Sequence, residues 1–79
     1  MMYYECHITI VGDPNLIRPH VEEIKWKFSY INGDPTLGNG IRCYATAFFS
    51  DKLSVYKVKQ FINSTAVELK NKGLNIVRQ

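Results

Sequence analysis

A small α+β domain with the element order β-α-β-β-α-β is what this sequence predicts, on three observations. Four segments alternate apolar and polar residues with the period of two that a half-buried strand requires. Two segments repeat apolar residues at the spacing of a helix with one buried stripe. The chain has 79 residues, 46% hydrophobic and 22% charged, which are the proportions of a globular domain with a thin core. Residues 1–79 are therefore expected to form a single domain. The same composition excludes a disordered tail, a collagen-like repeat and a disulfide miniprotein.

The first strand is expected over 3–11, YYECHITIV, which alternates and is rich in β-branched and aromatic residues. Gly12-Asp13-Pro14 ends it, with Asp13 as helix N-cap and Pro14 at the first helical position. The helix should run to about Lys25 and carry Leu16, Ile17, Val21 and Ile24 inward. Pro19 conflicts with that span, since an interior proline costs about 3 kcal/mol. Either the helix starts near Arg18 or it is kinked there.

Trp26 to Ile31 alternates again and predicts the second strand. Asn32 to Gly40, NGDPTLGNG, is dense in turn formers and predicts a loop. GDP occurs at both 12–14 and 33–35, as an internal duplication or as turn chemistry used twice. Gly33, Gly38 and Gly40 do not match a phosphate-cradling glycine motif. Ile41 to Phe49 is the third strand. After a connection over Ser50–Leu53, Ser54 is the candidate N-cap of a second helix, about Val55 to Lys72. Its expected apolar face is Val55, Val58, Ile62, Ala66 and Leu69. Gly73 stands where a left-handed C-terminal cap belongs, and Leu74 to Arg78 is a short fourth strand.

One apolar stripe per helix and one apolar face per strand are satisfied by two helices on one side of a four-stranded antiparallel sheet. With the first and third strands central, this is the ferredoxin-like arrangement.

The net charge is +3, unevenly spread. Residues 1–49 carry four Lys and Arg against five Asp and Glu, and residues 50–79 carry six against two. A basic C-terminal half attracts an anionic partner such as a nucleotide or RNA. The same lysines also read as the solvated face of a helix. Cys6 and Cys43 both fall at core-facing strand positions, so two buried free thiols and a reducing, cytoplasmic home are expected. The start, MMYYEC, has no basic region followed by an apolar stretch, as a secretory signal would. No apolar run approaches the ~20 residues of a membrane span. There is no CxxC and no paired-histidine spacing, so neither metal nor cofactor is expected.

Two helices on one side leave the other sheet face open. Alternation places Tyr3, Glu5, His7, Thr9 and Val11 there from the first strand, and Arg42, Tyr44, Thr46 and Phe48 from the third. An aromatic surface rimmed by polar groups is a contact site. Three readings compete for it. In the first, two copies cover each other's sheets as a homodimer, because small domains gain most from added burial. In the second, Tyr3, Arg42, Tyr44 and Phe48 bind single-stranded RNA, as in RNA-recognition-motif domains. That family's signature of basic residue, glycine, aromatic, small, aromatic is not present in GIRCYATAFF.

The third reading is catalytic. His7-Ile8-Thr9 resembles the HxT element of the two-histidine phosphoesterases, the RNA 2′,3′-cyclic phosphodiesterases and their relatives. In that superfamily two such elements face one phosphate. The resemblance implies that His7 moves a proton while Thr9 holds a phosphoryl oxygen. It covers HITI and the surrounding strand. A second element is not present: Cys43-Tyr44-Ala45-Thr46 offers a threonine but no histidine, and His20 is followed by Val21. A homodimer could supply one His7/Thr9 pair per chain. The bland alternative is a surface-strand histidine hydrogen-bonded to a neighbour. Across the whole chain, YYECHITI, WKFSYINGDP and GIRCYATAFF resemble small uncharacterised proteins of bacteria and their phages. That implies a small intracellular α+β protein and transfers no functional residue.

The leading expectation is a binding or assembly module that self-associates through its open sheet face. Trp26 is expected to be core or strand-edge packing and is left out of the site.

Overall fold

A computed structural model of the chain describes residues 2–31 and 41–79. The expected loop over 32–40, with the second GDP and its glycines, lies outside the described residues. The elements are β1 (Tyr3–Gly12), α1 (Pro14–Glu23), β2 (Lys27–Ile31), β3 (Ile41–Ser50), α2 (Val55–Asn71) and β4 (Asn75–Arg78). The four strands form one sheet in the order β2-β3-β1-β4, and every neighbouring pair is antiparallel. This is the ferredoxin-like α+β fold, with β1 and β3 in the centre.

Local chemistry explains where each helix begins and ends. The Asp13 carboxylate accepts the Asn15 amide at 2.9 Å, and Pro14 occupies the first turn. Ser54 caps α2 in the same way, its hydroxyl accepting the Lys57 amide at 3.2 Å. Both helices close with a pair of backbone bonds that wraps the last turn. In α1, Lys25 N–H reaches Glu22 C=O and Trp26 N–H reaches Val21 C=O. In α2, Gly73 N–H reaches Lys70 C=O and Leu74 N–H reaches Leu69 C=O. Such a closure needs a left-handed residue after the cap. Gly73 supplies it at φ 89°, and Lys25 supplies it at φ 66°.

Pro19 neither delays nor ends α1, which runs from Pro14 to Glu23. The missing proline N–H deprives only the Asn15 carbonyl, and both residues are exposed, so water can satisfy it. The buried stripe of α1 is narrower than expected. Ile17 and Val21 are buried and Ile24 is half-buried, but Leu16 is exposed. At about 100° per residue, Leu16 lies well round the helix from the line through 17, 21 and 24. Val55 likewise is exposed in the first turn of α2, while Val58, Ala66 and Leu69 are buried and Ile62 half-buried.

The core lies between one sheet face and the helices. Ile8, Ile10, Cys43 and Ala45 have no exposed surface and meet Ile17, Val21, Ala66 and Leu69. Trp26 precedes β2 rather than opening it. It is buried in an aromatic cluster, edge-on to Phe49 and stacked on Phe61, with centroids 6.2 and 6.4 Å away. Both cysteines are free thiols, as expected; Cys43 is fully buried and Cys6 only half-buried.

Candidate site on the open sheet face

The ladder fixes which side chains stand together. Directly opposite residues of an antiparallel pair share a face. One row across the open face is Lys27–Thr46–His7, and the next is Ser29–Tyr44–Thr9–Arg78. Beyond the second row lie Ile31, Arg42 and Val11. Beyond the first lie Phe48 and Glu5, then Ser50 and Tyr3. Every residue expected on this face from β1 and β3 is there.

The centre of the face is polar. The His7 Nδ1 lies 2.9 Å from the Thr46 hydroxyl, and its Nε2 lies 3.3 Å from a Glu5 carboxylate oxygen. A carboxylate only accepts, so the tautomer protonated at Nε2 is the one that suits Glu5. Nδ1 then accepts the Thr46 hydroxyl when the ring is neutral, or donates to it when the ring is charged. His7 is thus a strand histidine held by two neighbours, and Glu5 fixes its orientation. Thr9 and Thr46 are each only 8% exposed, screened by the longer side chains around them.

An open cleft of about 650 Å³ covers this centre, lined by Glu5, His7, Thr9, Tyr44 and Thr46 among the expected residues. Arg42, Tyr3 and Phe48 share the face but do not line the cleft. Tyr3 and Phe48 stand together at one end, 57% and 59% exposed, and Arg42 stands at the other.

Ser29 and Arg78 also line the cleft. Ser29, like Lys27 beside Thr46, could have been found by extending the period-two reading to the second strand. Arg78 could not. Its place opposite Thr9 depends on a register shift between Thr9 and Ile10, which no turn residue marks. Among the described residues of these strands, Lys27, Arg42 and Arg78 give the face three cations against the carboxylate of Glu5. His20, the other histidine, lies on α1, so the chain brings one imidazole to this face. Among the described residues, no group of three or more His, Cys, Asp or Glu could hold a metal ion, and no helix is long and apolar enough to cross a membrane.

Burial raises the Cys6 thiol above the ordinary cysteine value. Burial also raises Cys43, and the Asp13 carboxylate adds to the effect. Neither thiol is activated as a nucleophile. No family model matches the chain, and neither a curated protein nor a solved structure matches it significantly.

Proposed function

We propose that this domain is a cytoplasmic binding module that holds a phosphate-bearing anion, a nucleotide or RNA, on its open sheet face. The observation that carries the reading is the cleft itself. Thr9, Ser29, Tyr44, Thr46, His7 and Arg78 all line it, and Lys27 and Arg42 stand on the same face. Hydroxyl and guanidinium groups donate hydrogen bonds to phosphoryl oxygens. The Tyr44 ring offers a base a surface to stack on.

Calorimetric titration with inorganic phosphate, a nucleoside monophosphate and a short single-stranded RNA tests this. Binding of the nucleotide or RNA should weaken as salt rises, and Arg78→Ala and Tyr44→Ala should each weaken it further. No binding of any of the three overturns the reading. Turnover of a 2′,3′-cyclic nucleotide, lost in His7→Ala, would instead make the domain the enzyme that the His7-Ile8-Thr9 resemblance implies.

A homodimer that buries the open face is the second reading. Tyr3, Ile31 and Phe48, each more than half exposed on that face, favour it. Phe48→Glu, which replaces one of them with a carboxylate, should then convert a dimer to a monomer in sedimentation.

A further inference from the structure

The cleft has a part that the open face does not account for. Besides Glu5, His7 and Thr9, it is lined by Cys6, by Ile62 of α2 and by Gln79 just beyond β4. Alternate residues of a strand point to opposite faces, and Cys6 is on the helix side. A cavity that touches both faces of β1 lies at its edge.

The pairing shows why that edge is open. β3 covers one side of β1 along all of Tyr3–Gly12. β4 covers the other side only at Thr9–Val11. Among the described residues, no strand pairs with Tyr4–Ile8 on the β4 side. The slot continues the line of β4, with an apolar wall of Cys6 and Ile62 beneath and Glu5 and His7 above. An unpaired edge of this kind is a template for another strand.

We propose that the slot is filled by β1 of a second copy of this chain, running antiparallel. Opposed residues share a face, so the position numbers in a symmetric pair must sum to an even number. The register centred on Glu5 sets two carboxylates directly against each other, which is destabilising. The register centred on Cys6 sets Glu5 opposite the second copy's His7, twice by symmetry. It also sets Tyr4 opposite Ile8 and Cys6 opposite its own counterpart. The Glu5–His7 contact made within one chain at 3.3 Å is thereby matched between chains. The pairing spans Tyr4–Ile8 and stops where Arg78 already occupies the place opposite Thr9, so Tyr3 of each copy leaves the strand line on pairing. Gln79, one residue past that point, gives up its 2.7 Å bond to Asn63 as the slot fills. The two sheets become one, with both pairs of helices on the same side, and the two open faces become continuous.

This arrangement is distinguishable from face-to-face dimerisation by Cys6. In the edge pair the two Cys6 residues are directly opposed, with Cα atoms about 4.5–5.5 Å apart, within the range of a disulfide. In a face-to-face pair they lie on the far sides of the two sheets.

Sedimentation across a concentration series should show a monomer–dimer equilibrium. Diamide, which takes the two thiol hydrogens as the disulfide forms, should give a covalent dimer on a non-reducing gel. Cys43→Ser should keep that product and Cys6→Ser should lose it. His7→Glu opposes two carboxylates twice and should raise the dimer dissociation constant roughly tenfold, since each cross-strand charge pair is worth a fraction of a kcal/mol. Adding Glu5→Lys should restore it. A monomer at every concentration, or a dimer in which diamide never joins Cys6, overturns the proposal. Neither result bears on anion binding, which calorimetry reads separately.

Discussion

His7 of β1 and Thr46 of β3 are directly opposed in the ladder, and a 2.9 Å hydrogen bond joins their side chains. Glu5, two residues before His7 on the same face, holds the other ring nitrogen at 3.3 Å. The contact therefore crosses the two central strands and also fixes the imidazole over the cleft. Thr46→Val keeps the branched shape and removes only the hydroxyl. His7 is exposed, so water replaces the lost partner. The expected loss of stability is about 1 kcal/mol, the net worth of one hydrogen bond, read as a lower urea midpoint with an unchanged slope. A loss above about 3 kcal/mol would show that the pair holds the sheet together rather than positions the ring.

The two helix ends supply a matched pair of backbone tests. Lys25 carries a side chain at φ 66°, where a left-handed conformation costs an L-residue about 1–2 kcal/mol. Lys25→Gly should therefore stabilise the protein by roughly 0.5–1 kcal/mol, part of the gain being offset by the freer unfolded chain. Gly73 at φ 89° has no atom within 4 Å of an added Cβ. Gly73→Ala should thus cost about 1 kcal/mol through backbone strain alone. Thermal unfolding of both variants checks the signs, and a stabilising Gly73→Ala would contradict the closure described for α2.

Phe61 ties α2 to the aromatic cluster. Its ring stacks on Trp26 and meets Phe49 edge-on at 5.2 Å, although it remains half exposed. Phe61→Ala should cost about 1–2 kcal/mol, below the 3–5 kcal/mol of a fully buried aromatic. It should also shift Trp26 emission to longer wavelength, because water gains access to the indole. An unchanged emission maximum would show that Phe61 does not cover the ring.

The strands and the open face were legible because period two is strict: once Ile8 and Ile10 face the core, His7 and Thr9 must face away. The caps were legible because Asp13, Ser54 and Gly73 each have a local role. What was hidden depends on contacts between distant segments. Phe61 falls outside a simple stripe drawn through Val58, Ile62 and Ala66, yet Trp26 recruits it from another part of the chain. Lys25 gives no sign of a left-handed residue, since a charged side chain there resembles an ordinary last turn. The partnership of Arg78 with Thr9 and the open edge of β1 follow from where β4 is paired, and a four-residue strand carries too little pattern to specify that.

The two thiols give stability a defined pH dependence. Both are raised by burial, Cys43 with a further contribution from Asp13. In the unfolded chain a thiol ionises near its ordinary value of about 8.5. In the folded protein it holds its proton to higher pH. The unfolded state therefore releases protons first, so the contribution is complete below the ordinary value and is lost as pH rises through the folded one. Urea midpoints should fall between neutral pH and pH values above that of an ordinary thiol. Cys43→Ala should flatten this fall, even though the variant starts less stable because its buried sulfur is gone. Lysine and tyrosine titration is common to both proteins, so the difference in slope isolates the thiol. Alkylation should modify half-buried Cys6 before buried Cys43. Equal slopes in the two proteins would mean that Cys43 ionises alike in the folded and unfolded states, contrary to its burial against Ile10 on the core side of β3.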